Sequence, residues 1–158
     1  MPGPKIIRWI FVQPAFKQPH DLAAMETLIA RCAAKWEVAV GSDVLRIERA
    51  ERGSDADWII GVDQISQYPT NIAWCQPVGP LQLILFDTRP RWCLTWWQRV
   101  LGRSNGVSFI ALCLHEMGHA LGLQHGDGGN MLEAPVLEEV TAGSALMVRR
   151  NLRRELGF

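Results

Sequence analysis

An α/β sandwich is the fold this sequence predicts: five strands with an early crossover helix, a second long helix, and a third helix at the C-terminus. Three observations lead there. Short runs rich in β-branched and aromatic residues recur through the first half of the chain, separated by Gly, Pro and polar residues. One segment among them carries apolar residues at helical spacing, as a crossover between parallel strands requires. A breaker-free apolar run, residues 109–114, then leads into a segment unusually dense in histidine.

The elements follow in order. Lys5–Val12 is rich in Ile, Trp, Phe and Val and reads as a strand that ends by Pro14. Pro19-His20-Asp21 opens a helix running through Trp36, with Asp21 near its positive end. Leu22, Met25, Leu28, Ile29, Cys32 and Trp36 form its core-facing stripe, and His20 reads as a solvated residue ahead of it. Residues 44–49 alternate as a half-buried strand, and residues 57–62 read as a more buried one. A polar loop over 64–71 precedes a short strand, 72–76, ended by Pro77 and Gly79. Residues 81–86 are almost continuously apolar, as in a central strand. Trp92, Trp96 and Trp97 read as packing over the sheet in preference to a surface that grips a partner. Ser108 is the N-cap expected of the second long helix. Residues 141–156 read as the last helix, with Ala145, Val148, Leu152 and Leu156 inward. Its Arg149, Arg150, Arg153 and Arg154 face mostly outward, as a solvated face in preference to an anion site.

A length of 158 residues makes one domain, 1–158, the default, with enough chain to bury a core. Lys+Arg and Asp+Glu balance at 16 each, so no net field favours nucleic acid, a membrane surface or acidic substrates. Independently of charge, a monomer is expected. No apolar run approaches the ~20 residues that span a bilayer. The N-terminal stretch lacks the apolar core of a signal peptide, so the chain is expected either not to use that route or to have lost a leader, and no compartment is assigned. Cys32, Cys75, Cys93 and Cys113 form no CxxC pair. They read as buried free thiols, with a Cys75–Cys93 disulfide left open.

The chemistry is concentrated in His115-Glu116-Met117-Gly118-His119-Ala120-Leu121-Gly122-Leu123-Gln124-His125, a H-E-x-x-H-x-x-G-x-x-H pattern. His115 and His119, at i and i+4, share one helix face, so both imidazoles can reach one Zn²⁺. Glu116 is rotated roughly 100° from His115. It sits beside the ion, as a general base for a metal-activated water and not as a ligand. On an unbroken helix His125 would lie about 15 Å along the axis from His115. Gly122 can take φ > 0, end the helix and turn the chain so that His125 approaches from another side. Three protein ligands leave a position open, the mark of a catalytic zinc. A structural zinc with Asp127 as fourth ligand is the alternative from the residues. Cys113, two before His115, faces away and cannot join.

This motif resembles that of the metzincin clan of zinc endopeptidases, and within it the matrixins. Met131 is similar to the methionine of that clan's Met-turn, which implies a packing role beneath the imidazoles. Residues 56–60 and 79–87, the latter followed by Trp92, resemble two matrixin strands, and a first helix ending at Trp36 fits the same pattern. The resemblance implies a twisted, mixed five-stranded sheet with two long helices and a C-terminal helix after the Met-turn. It places the strand of Ala73, Trp74 and Cys75 at the sheet edge, antiparallel to its neighbour and bordering the cleft, where an extended peptide substrate would pair. It implies one catalytic Zn²⁺. A calcium site at Asp87 has only a single carboxylate behind it, and His20 alone does not provide for a second, structural zinc. Nothing ahead of Lys5 supplies a zinc-blocking cysteine, so latency of that kind is not expected. Gly126 stands where matrixins usually carry Ser, the loop to Met131 is short, and Pro135 comes late, which puts the wall of the main specificity pocket in doubt. The expected activity is zinc-dependent endopeptidase cleavage of protein or peptide substrates. A zinc-containing peptide-binding module without turnover and a hydrolase of non-peptide amides are the alternatives.

Overall fold

The computed structural model describes residues 2–65, 72–95, 98, 106–125 and 138–157. Its central layer is a mixed sheet of five strands: β1 (Lys5–Val12), β2 (Leu45–Arg49), β3 (Trp58–Asp63), β4 (Ala73–Val78) and β5 (Leu81–Asp87). Their order across the sheet is β2-β1-β3-β5-β4. β1, β2, β3 and β5 pair in parallel, whereas β4 runs antiparallel to β5 at the edge. The expected α/β architecture and the edge position of β4 are therefore present. Pro77 lies within β4 instead of ending it, and the turn falls at Gly79, whose φ is +59°. An edge strand tolerates a proline because one of its rows of N–H groups meets no partner strand.

Helix α1 (Leu22–Val40) is capped by Asp21, which accepts a hydrogen bond from the N–H of Ala24 at 3.0 Å. It runs four residues beyond the expected end at Trp36. Residues 37–40 contain no breaker, and the helix stops only at Gly41, whose φ is +104°. Trp36 is fully buried, and its indole N–H donates to the carbonyl of Leu114 at 3.2 Å. It therefore joins α1 to helix α2 (Phe109–Ala120), where it was expected to end one.

Helix α3 (Ala142–Glu155) packs on α1 through Ala145, Val148 and Leu152, as its spacing predicts. Leu156 is only half-buried. The outward arginine face is corrected at Arg149, which is half-buried, donates to the carbonyl of Val40 and forms paired bonds with Asp43 at 2.8 and 3.1 Å. Arg149 thus meets the carbonyl end of α1 at Val40, where a cation offsets the helix dipole. His20, expected as a solvated residue, is also partly engaged. It is half-buried, with Nε2 3.0 Å from the carbonyl oxygen of Thr88.

A short parallel pair, β6 (Trp92–Cys93) and β7 (Val107–Ser108), leads into α2. Trp92 is buried, donates to the carbonyl of Asp87 at 2.8 Å, and meets Phe86 and Phe109 edge-on at 5.8 and 5.5 Å. It is a packing residue, as expected, whereas Trp96 and Trp97 lie outside the described residues. All four cysteines are free, so the Cys75–Cys93 bond left open by the sequence is not formed.

Asp87 is fully buried at the end of β5 and is engaged through both oxygens. One accepts from the backbone and side-chain N–H groups of Arg89 at 2.8 and 2.9 Å, the other from Arg89 Nη2 and the N–H of Ile65 at 2.6 and 3.1 Å. These bonds occupy the carboxylate that the calcium expectation relied on. Burial alone would push its pKa up, but the bonds from Arg89 and Ile65 and the guanidinium charge outweigh it and hold the pKa below the usual value. A carboxylate with a depressed pKa stabilises the fold above its unfolded pKa, and that contribution is lost as pH falls through the folded value. Asp87→Asn should therefore lower the urea midpoint at pH 7, and the gap to the unsubstituted protein should close on acidification below about pH 4. Urea titrations of both proteins at pH 7 and pH 3 check it, and a gap unchanged between the two would contradict it.

Candidate metal centre

The centre is built on α2. Ser108 caps the helix, accepting from the N–H of Ala111 at 3.2 Å, and its own hydroxyl donates to Glu138 at 2.7 Å. The first turns are almost wholly buried: Phe109, Cys113 and Leu114 expose nothing, and Ile110 and Ala111 very little. Phe109 packs on Phe86, and Trp36 and Cys32 of α1 bond to the carbonyls of Leu114 and Ile110. A helix gripped along this length holds its last turn rigidly. The C-terminal half of this helix presents His115 and Glu116, each 6% exposed, and then His119 in the last turn.

Gly122 ends the helix with φ at +90°. The N–H of Gly122 bonds to the carbonyl of His119 and that of Leu123 to the carbonyl of Gly118, both at 2.9 Å. This pair of bonds is the Schellman arrangement, and it closes the helix with Leu123 fully buried. The reversal brings His125 back, with its Nε2 only 3.2 Å from Nε2 of His119. The three ring centroids lie 4.8–5.1 Å apart. One ligand atom from each of His115, His119 and His125 falls within 4.8 Å of the others.

This arrangement fits a tetrahedral ion. Two nitrogens bound to zinc at ~2.0–2.1 Å sit about 3.3 Å apart, close to the His119–His125 separation. Nδ1 of His119 lies 3.0 Å from the carbonyl of Leu123, which only accepts. That bond assigns the proton to Nδ1 and leaves the Nε2 lone pair available, the outer bond that a metal-binding imidazole needs. Nδ1 of His115 is buried with no hydrogen-bond partner, so the ring is not committed to a structural bond through that atom. Burial, followed by the neighbouring His119 and His125, pushes the pKa of His115 down to about 4. Burial also lowers that of His119, against the opposing bond to Leu123. Both rings are therefore neutral at pH 7, the form that binds metal.

Beside the trio lies a cleft of ≈ 750 Å³ between α2 and β4. Ala73, Trp74 and Cys75 line it from the sheet edge, as expected, and Glu116, Gly122 and the three histidines line it from the helix side. Burial raises the pKa of Glu116 to about 7. Burial and then the nearby Glu116 raise the Cys75 thiol to about 12, so it remains protonated. Six lining residues were not among those the sequence singles out for the site: Ile72, Pro77, Gln82, Leu112, Ala120 and Gln124. Leu112, three before His115, was within reach of helix periodicity, and Gln124 adjoins His125. Gln82 depends on a strand register that a sequence pattern does not contain. Met131, Asp127, Gly126 and Pro135 lie outside the described residues.

Residues 35–148 match the family described as Matrixin. The chain belongs to the matrixin family. That match covers well over half of the sequence and takes in the sheet from β2 onward, the cleft and α2. Comparison with curated proteins gave no match. Matrixins are zinc metallopeptidases, and the His115, His119 and His125 group is what this matrixin offers a metal ion.

The folded, metal-free state couples two opposite titrations. His115 loses its proton at about 4 when folded, against 6.5 as an ordinary imidazole, so between those values the unfolded chain binds more protons and stability rises with pH. Glu116 keeps its proton to about 7 when folded, against 4.5 ordinarily, so there the folded chain binds more and stability falls with rising pH. Glu116→Gln removes only the second effect. In metal-free protein, the urea midpoint of the variant should rise relative to the unsubstituted chain from pH 4.5 to pH 7. Parallel midpoint curves would contradict it.

Proposed function

We propose that this matrixin is an endopeptidase that hydrolyses peptide bonds in extended protein or peptide substrates, with Glu116 as general base and a single catalytic domain over 1–158. The observation that carries this reading is the placement of a buried carboxyl, raised to about 7, beside three converging imidazoles and across a cleft from an edge strand. His115, His119 and His125 would hold zinc. When bound, it supplies Lewis acidity toward the scissile carbonyl and toward water.

The rest is the work of the chain's own groups. A carboxyl with its pKa near neutrality both accepts and returns a proton at the operating pH. Glu116 takes a proton from water as the water oxygen bonds to the carbonyl carbon. It then delivers that proton to the amide nitrogen as the C–N bond breaks. Burial of α2 keeps this carboxyl in place through both transfers. Gly122 supplies the reversal that positions His125. Met131 is assigned the packing role beneath the imidazoles that the family implies, and β4 orients the substrate chain.

Glu116→Gln preserves the shape of the side chain and removes its basicity. Zinc content should remain near one per chain, while cleavage of an unfolded protein such as casein should fall by about 10²–10⁴. Elemental analysis and a digestion assay on the same preparation provide the check. Undiminished cleavage would contradict the role of Glu116, and zinc-loaded unsubstituted protein that binds peptides without cutting any would contradict hydrolysis itself.

A further inference from the structure

The free edge of β4 has a defined hydrogen-bonding pattern. The N–H of Asp87 bonds to the carbonyl of Ile72 at 2.8 Å, and Ile72 stands one residue before the Ala73–Phe86 pair in the register. In an antiparallel ladder, residues whose backbone groups face the partner alternate with residues whose groups face away. Trp74, Gln76 and Val78 therefore face β5, while Ala73, Cys75 and Pro77 face outward. A second bond agrees. Gln82, paired with Pro77, directs its N–H to the carbonyl of Asp57 on the other side of β5, at 2.9 Å. Pro77 and Gln82 are thus a pair without mutual backbone bonds.

Among the described residues no strand pairs with this outer row. It offers the N–H and carbonyl of Ala73, the N–H and carbonyl of Cys75, and the carbonyl of Pro77. Pro77 has no N–H to give. The next outward position, Gly79, is already in the turn and has positive φ. Each full rung takes one donor and one acceptor from a chain laid along it, so the third rung is half a rung.

We propose that Pro77 sets the end of the substrate-pairing edge. A peptide strand is held through both groups of Ala73 and of Cys75, and its backbone carbonyl finds no donor where it reaches Pro77. The occupant is the extended peptide of the proposed function, on which this inference rests, because the row borders the cleft that holds the histidine trio. Affinity then grows with peptide length in one direction only up to Pro77. Proline at this position also keeps the outer row from pairing with another copy's edge strand.

The test uses the zinc-loaded full chain carrying Glu116→Gln, which on the proposed function should bind peptides without turnover. Extended peptides, lengthened one residue at a time from each end, are titrated calorimetrically against it, alone and combined with Pro77→Ala or Pro77→Val. With Pro77 in place, lengthening in one direction should stop lowering Kd at the residue opposite it. Both substitutions supply the missing N–H, and both should give about a 2- to 10-fold further gain at that residue. The same length dependence in all three proteins, or a gain with Ala alone, would overturn the inference. A length-dependent plateau relieved by both substitutions, in a chain whose Glu116 form cleaves nothing, would support the edge assignment and contradict the hydrolytic reading. Cleavage by the Glu116 form with identical length dependence in the three binding proteins would contradict the edge assignment alone.

Discussion

The centre depends on one backbone reversal at the end of one buried helix. Two histidines on a single helical face reach a common point by spacing alone, but the third cannot unless the chain doubles back within a few residues. Gly122 makes that possible because φ near +90° costs it little, whereas a side chain there would be strained. The two bonds that close the turn end on Gly118 and His119, within the motif itself. The carbonyl of Leu123, set by the same turn, holds Nδ1 of His119. Helix termination, ligand orientation and the approach of the third imidazole are therefore one local structure.

Rigidity and chemistry share a cause in the burial of α2. The indole of Trp36, the thiol of Cys32 and the ring of Phe86 all meet the helix upstream of its histidines. The low polarity that packing creates then favours the neutral forms of His115, Glu116 and His119. It lowers the pKa values of His115 and His119 and raises that of Glu116. Neutral imidazoles suit metal binding, and a carboxyl near neutrality suits proton transfer. One environment drives the two kinds of group in the directions that the proposed roles require.

The most legible parts of the molecule were those governed by local spacing. The i, i+4 histidines, the breaking glycine, the Ser108 cap and the core stripe of α1 all follow from helix geometry, and the structure shows each of them. The strand segments were legible too, but not their order, because β2-β1-β3-β5-β4 is set by contacts between distant residues; the edge position of β4 came from family resemblance. The same limit explains the misplaced residues. Arg149 looked solvated because its partners, Asp43 and the end of α1, are remote in sequence. His20 has its partner at Thr88. The end of α1 was set too early because Trp36 was read as a terminus, when its indole reaches sideways to another helix.

The most direct measurement is zinc K-edge X-ray absorption of the full chain loaded with one equivalent of metal. Three imidazole nitrogens and one further light atom at ~2.0–2.1 Å are expected, with no sulfur in the inner shell. A sulfur shell near ~2.3 Å, or fewer than three imidazoles, would mean that the ion is held elsewhere and that the reversal at Gly122 does not build the centre.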